Sequence, residues 1–363
     1  MELIRKDILK LKAYIAGKPI EETKREFGLK EVIKLASNEN PLGSSPKAIK
    51  ALLRSLTGIN RYPDAQGFYL KKKIARVSGL APENIVLGNG SDELIDVIIK
   101  TFVENNENIV SAGVTFLEYE IIAGINGRRI LTVPLRDFKF DLPRIRKNIN
   151  NKTKLVFIAN PNNPTGTYVN AKELKKFISS LPGSVILVLD EAYDAFIDVK
   201  DFPRGIEYLD KNVLVLKTFS KAYGLAGLRI GYCLANEKFA SYMERVRQPF
   251  NVNSLAQAAA NMALEDNDFL SKTRRANLNG KAFLYDSLDK IGVFYVPSVT
   301  NFILIDTGID CLEVFKELLK LGVIVRDMAQ YKLNSYIRVT IGTKKENEAF
   351  IKAFKKVLIK LGV

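Results

Sequence analysis

The chain has 363 residues, 47% of them hydrophobic and 26% charged, which supplies ample apolar material for a core and excludes global disorder. Its 55 basic and 40 acidic residues leave a formal net charge of +15, and it has no histidine; Ser-His-Asp and Cys-His catalysis, His-ligated zinc and a histidine general base are therefore excluded. The two cysteines, Cys233 and Cys311, cannot build a disulfide framework or a four-cysteine metal site, and no apolar run nears the ~18 residues of a membrane span, so a soluble cytoplasmic protein with no metal and no membrane partner is expected.

The positive charge invites a nucleic-acid partner, but its distribution argues against one. Basic residues come as pairs and short runs (Lys71 to Lys73, Arg128 and Arg129, Arg274 and Arg275, Lys355 and Lys356) in helix-like segments with no stacking aromatic between them. Solvated helix faces, with a general attraction for anionic small molecules, account for that pattern.

In chain order, short β-branched runs at Ile85 to Leu87, Asn108 to Val110, Leu155 to Ile158, Val185 to Leu189, Val213 to Lys217 and Ile230 to Leu234 alternate with helical patterns that include Glu93 to Val103, Ala171 to Ser180 and Phe239 to Arg247. Such alternation predicts an α/β fold, a mostly parallel sheet covered by helices. From Leu255 the pattern becomes a long helical stretch, then strands at Phe302 to Ile305, Val323 to Val325 and Tyr336 to Ile341, with helices at Leu312 to Lys320 and from Lys345. This predicts a large domain over 41–249, a smaller C-terminal α/β domain over 250–363, and an N-terminal segment, 1–40, packing on the small domain.

Ligands of open α/β sheets bind beyond the carboxyl ends of the strands, so polar residues directly after the apolar runs are the candidates for chemistry. Gly88-Asn89-Gly90-Ser91-Asp92-Glu93 follows one run and opens a helix; it can cradle a phosphate on free N–H groups or simply connect strand to helix with Ser91 or Asp92 as cap. Asn160 to Gly166 contains two prolines that force a fixed loop displaying amide side chains. Asp190-Glu191-Ala192-Tyr193 places a carboxylate after five apolar residues, a position that demands a cation, with no Lys or Arg nearby in sequence. Thr218 to Arg229 presents hydroxyls, Lys221 and Arg229 with two glycines, suited to a phosphate beside a reactive amine, although a lysine there also reads as a surface residue. Arg326 and Arg338 end and interrupt short apolar strands, where each meets a carboxylate of its own chain or of a substrate.

Together with Ser37-Asn38-Glu39-Asn40-Pro41-Leu42-Gly43 and Arg61-Tyr62-Pro63-Asp64, these motifs, in order over essentially the whole chain, resemble the fold-type I pyridoxal-phosphate-dependent aminotransferases, and within them the histidinol-phosphate aminotransferases. The resemblance implies that Lys221 carries a Schiff base with pyridoxal phosphate and moves the proton, that Asp190 faces the pyridinium nitrogen, and that Asn163 and Tyr193 bond the ring oxygen. It implies a cofactor phosphate held by Ser91, Asp92, Ser220 and Arg229, with Tyr62 reaching it from the other subunit of a homodimer. Phe116 falls where the family often has a stacking Tyr. Arg338 would clamp the substrate α-carboxylate, and Tyr14 and Arg326 would lie near the phosphate of histidinol phosphate. The activity implied is transamination between histidinol phosphate and 2-oxoglutarate, giving imidazole acetol phosphate and glutamate; an aromatic or broad-specificity aminotransferase and a threonine-phosphate decarboxylase share the scaffold.

Overall fold

In a computed structural model of the protein, residues 3–5, 8–11 and 17–362 are described. The strands, in chain order, are β1 (Ile33–Lys34), β2 (Ile85–Gly88), β3 (Asn108–Ala112), β4 (Arg129–Val133), β5 (Thr153–Ala159), β6 (Ile186–Asp190), β7 (Val213–Thr218), β8 (Gly231–Leu234), β9 (Tyr295–Val296), β10 (Phe302–Asp306), β11 (Val323–Ile324), β12 (Arg326–Asp327) and β13 (Tyr336–Thr340). Seven of them form one sheet in the order β2-β8-β7-β6-β5-β3-β4. Only β8 runs against its neighbours, so the sheet is mostly parallel, as expected. Helices cover both faces, which is why β5 and β6 read as nearly unbroken apolar runs. The edge strand β4 was not anticipated. Its Arg129 and Thr132 are exposed, as an edge position allows, and they break up the apolar run of Ile130, Leu131 and Val133.

The second core surrounds the antiparallel sheet β12-β13-β10-β9 and takes in Leu35, Leu284, Leu288 and Phe354. Strand β1 pairs in parallel with β11, and the Leu35 N–H donates to Ile324 O at 2.7 Å. Ile33 to Leu35 thus pack on this smaller unit, whereas Arg5 reaches the large one, its Nη2 donating to Ile125 O at 3.2 Å. Val252 and Ala256, Ala259, Ala260 and Ala263 of the helix Ser254–Ala263 belong instead to the large core. The packing passes from one core to the other along the helix Asn267–Ile291, beyond the expected division at 249/250, because small alanine faces let Ser254–Ala263 lie close against Pro46–Ser55. No helix among the described residues is long and apolar enough to cross a membrane.

Candidate active site

The carboxyl ends of β2, β5, β6 and β7 and the facing ends of β12 and β13 enclose a cavity of about 320 Å³, within the range of small-molecule sites. It brings together Ser91, Asp92, Phe116, Asn163, Asp190, Tyr193, Ser220, Lys221, Arg229, Arg326 and Arg338.

Asp190 ends β6 and is buried. Its Oδ2 accepts from the Tyr119 hydroxyl at 2.7 Å and its Oδ1 from the Ala192 N–H at 3.1 Å. Burial raises its carboxyl from 3.8 to about 6 despite those two bonds, a disfavoured charge of about 3 kcal/mol. No Lys or Arg among the described residues forms a salt bridge with it. The next residue is handled differently: Glu191 pairs with Lys217 Nζ at 2.8 Å and accepts from the Gly205 N–H at 2.8 Å. Asp190 is therefore a buried acid whose cation must come from what fills the cavity.

Lys221 follows β7 and lines the same space, its Nζ donating to Ser37 O at 3.2 Å. Burial first, and the nearby Arg338 charge second, push its amine down from 10.5 to about 8, so a sizeable neutral, nucleophilic fraction exists near neutral pH. Tyr193 packs edge-on against Phe302 at 5.1 Å, and its oxygen accepts from Asn38 Nδ2 at 2.9 Å. That leaves the Tyr193 proton free to be donated into the cavity. Burial pushes its ionisation upward, keeping the proton in place.

The anion end is built around the start of the helix Ser91–Phe102. Gly90 precedes it at φ 86° without a side-chain cap, so the first-turn N–H groups stay available. A Cβ on Gly90 would stand 2.5 Å from Arg229 Nη2, and one on Gly231 would stand 2.9 Å from the Ser91 nitrogen; glycine alone fits both positions. Arg229 Nη2 donates to Asp92 Oδ2 at 2.8 Å and Nη1 to Ser220 Oγ at 3.5 Å. The Asp92 carboxylate is thereby committed to Arg229, and its backbone is what it offers an anion.

Opposite lie two arginines. Arg326 of β12 and Arg338 of β13 are cross-strand partners, both buried, an arrangement of like charges that costs stability unless anions offset it. Arg326 Nη2 donates to Gln330 Oε1 at 2.7 Å. Arg338 donates through Nη1 to Asn163 Oδ1 and through Nη2 to Ala36 O at 2.7 Å, lies over the Phe302 ring, and keeps a buried Nε without a hydrogen-bond partner. Asn163 retains its amide N–H groups for the cavity. Phe116 lies half-buried at the wall, edge-on to Tyr119 at 5.6 Å.

Of the remaining sequence candidates, Tyr14 lies outside the described residues. Tyr62 is not part of this chain's cavity: it is 83% exposed and stacks on Phe250 at 4.7 Å. Sequence reasoning gave no role to Tyr119 or Asn38, which hold Asp190 and Tyr193. Their contacts span 71 and 155 positions; no local pattern marks Tyr119, and the motif Ser37 to Gly43 contains Asn38 without indicating its partner.

Residues 30–354 match the family model described as aminotransferase class I and II. The chain is 46% identical over 357 residues to the histidinol-phosphate aminotransferase of Moorella thermoacetica, covering 98% of this chain and 92% of the relative. It is 44% identical over 358 residues to that of Caldicellulosiruptor saccharolyticus, covering 98% and 100%. Among solved structures, the histidinol-phosphate aminotransferase of Sinorhizobium meliloti in complex with pyridoxal-5'-phosphate superposes with a TM-score of 0.90 at 29% identity, over 100% of this chain and 99% of the other. A buried acid with no protein cation, a softened lysine and a cradle for an anion thus sit in a chain that belongs to the class I and II aminotransferases.

Proposed function

We propose that this aminotransferase moves the amino group between histidinol phosphate and 2-oxoglutarate, with pyridoxal phosphate as cofactor and two copies of the chain completing each site. The observation that carries the cofactor assignment is the buried Asp190 carboxylate without a protein cation, facing a cavity that also holds Lys221. Pyridoxal phosphate supplies an aldehyde that receives the amino group and a protonated ring that takes up electrons. Asp190 would hold the proton on the ring nitrogen, oriented by Tyr119. Asn163 and Tyr193 would orient the ring oxygen, Phe116 would cover the ring face, and Ser91, Asp92, Ser220 and Arg229 would anchor the phosphate. Lys221 would bind the aldehyde carbon and then carry the proton to and from the substrate Cα.

Substrate choice falls to the arginine pair. Arg338 would bind the α-carboxylate of glutamate, and Arg326, with Tyr14, the phosphate of histidinol phosphate; two anionic groups answer two guanidinium groups. Tyr62, exposed on its own chain, would reach the phosphate of the partner's cofactor. A cytoplasmic setting suits its free, buried Cys233 and Cys311. The test follows single half-reactions through the cofactor spectrum with glutamate, histidinol phosphate, phenylalanine and threonine phosphate. Fast amino transfer from the first two supports the assignment; preference for phenylalanine, or carbon dioxide release from threonine phosphate, overturns it.

A further inference from the structure

The loop carrying Tyr62 and the turn at the start of the helix Ser91–Phe102 are joined by a hydrogen-bonded chain of side chains. Arg247, whose side chain is 5% exposed, donates through Nη2 to Ala65 O at 2.8 Å and through Nη1 to Asn251 Oδ1. Its Nε and Nη2 both bond Glu244 Oε2, at 2.9 and 2.7 Å, and Glu244 Oε1 is held in turn by Lys71 Nζ at 2.7 Å. Asn251 passes the connection on: its Nδ2 donates to Glu93 Oε2 at 2.6 Å and to Leu87 O at 3.3 Å. Glu93 Oε2 also accepts the Asn89 N–H at 2.6 Å, inside the glycine turn that leads to Ser91. At the other end the loop is closed by Asp64, which accepts from the N–H groups of Gln66 and Phe68. Every terminal nitrogen of Arg247 is used, so none is left to serve a ligand directly.

We propose that Arg247 and Asn251 are positioning residues that hold the cofactor-phosphate turn of one subunit and the Tyr62 loop it offers to the other subunit in one frame, so that each chain sets the cofactor affinity of both sites. This rests on the dimeric, pyridoxal-phosphate-dependent reading above. Asn251 is the link common to both ends: removing its amide frees Glu93 on one side and Arg247 on the other. A role confined to fold stability would not distinguish which subunit bears the change.

Differently tagged chains test this. One chain carries Lys221→Ala, so the visible absorbance of Lys221-bound cofactor reports only the other chain's site, which takes Tyr62 from the silenced chain. Asn251→Ala is placed either in the silenced chain or in the reporting chain, and the pyridoxal phosphate dissociation constant is read by titration. Placed in the silenced chain, it is expected to raise that constant about tenfold, the loss of one to two ordered hydrogen bonds, and Tyr62→Phe in the same chain is expected to act in the same direction. Arg247→Lys, which keeps the charge beside Glu244, provides a milder version with an expected rise of about threefold. No change when the silenced chain bears any of these substitutions overturns the coupling while the cofactor assignment stands. An unsubstituted dimer that takes up no pyridoxal phosphate overturns both.

Discussion

At the ends of β6 and β7, Glu191 and Lys217 face each other at 2.8 Å within the wall of the large unit, while their chain neighbours Asp190 and Lys221 line the cavity. Each set is one carboxylic acid and one lysine, and their electrostatics are opposite. Burial acts most strongly against the charge on Lys217, yet the carboxylates of Asp194 and Glu191 outweigh it and hold the amine well above its ordinary range. Lys221 meets burial and the like charge of Arg338 and falls to about 8; Asp190 rises to about 6. A buried pair satisfied inside the chain is scaffold. A buried acid and amine left without such partners mark where a ligand must complete the charge balance.

The sharpest way to break this contrast is to exchange roles between the lysines. Lys221→Ala should lower the rate of either half-reaction by at least about 10⁴-fold, with the fold intact and cofactor still taken up non-covalently; single-turnover spectra measure it, and near-normal rates would remove the mechanism. Lys217→Met should instead cost about 3 to 5 kcal/mol of stability by stranding Glu191 and Asp194, read from chemical denaturation. Its remaining folded fraction should keep normal half-reaction rates, since Lys217 does not line the cavity.

Asp190→Asn should separate stability from function. The raised carboxyl means that the cofactor-free native state binds a proton between about pH 4 and 6 that the unfolded chain has already lost, so ionising Asp190 destabilises the fold as pH rises through that window. Replacing it should make the cofactor-free protein more stable at pH 7 by up to about 3 kcal/mol, and should slow the loaded enzyme by about 10² to 10³. A less stable variant would mean that Asp190 serves the fold as Glu191 does. For Lys221 the sign reverses. Its depressed amine loses its proton in the native state near pH 8, whereas the unfolded chain keeps it to about 10.5, so stability of the cofactor-free protein should rise with pH across that interval relative to Lys221→Met. Thermal unfolding of the two proteins from pH 7 to 10 checks it.

Much of this site was legible from where polar residues follow apolar runs. Asp190 stood out because five apolar residues precede it, and Lys221 because it follows a strand end among glycines. What could not be read locally came from register and packing. Nothing near Tyr119 announces that it reaches Asp190, and the direct opposition of Arg326 and Arg338 exists only because β12 pairs antiparallel with β13. The same holds for the fold. Strand β8 is as apolar and buried as the parallel strands of the sheet, so its reversed direction is a property of the connection and not of the run; β4 has the apolar Ile130, Leu131 and Val133 but is only partly buried, as its edge position dictates.

The smallest expected effect discriminates between the two arginines. Arg338 lines the cavity with its guanidinium held by Asn163, Ala36 and the Phe302 ring, so a carboxylate in the cavity meets a fixed positive group. Glutamate brings such a group next to the reacting carbon, and histidinol phosphate has none. Arg338→Ala should therefore slow the glutamate half-reaction more than the histidinol phosphate half-reaction, by about tenfold in the ratio of their kcat/KM values, the share of one charge-assisted contact. Arg326→Ala should move the ratio the other way. Equal losses for both substrates would mean that the pair acts as one undifferentiated positive wall, because only a guanidinium that touches one substrate's distinguishing anion can change their relative rates.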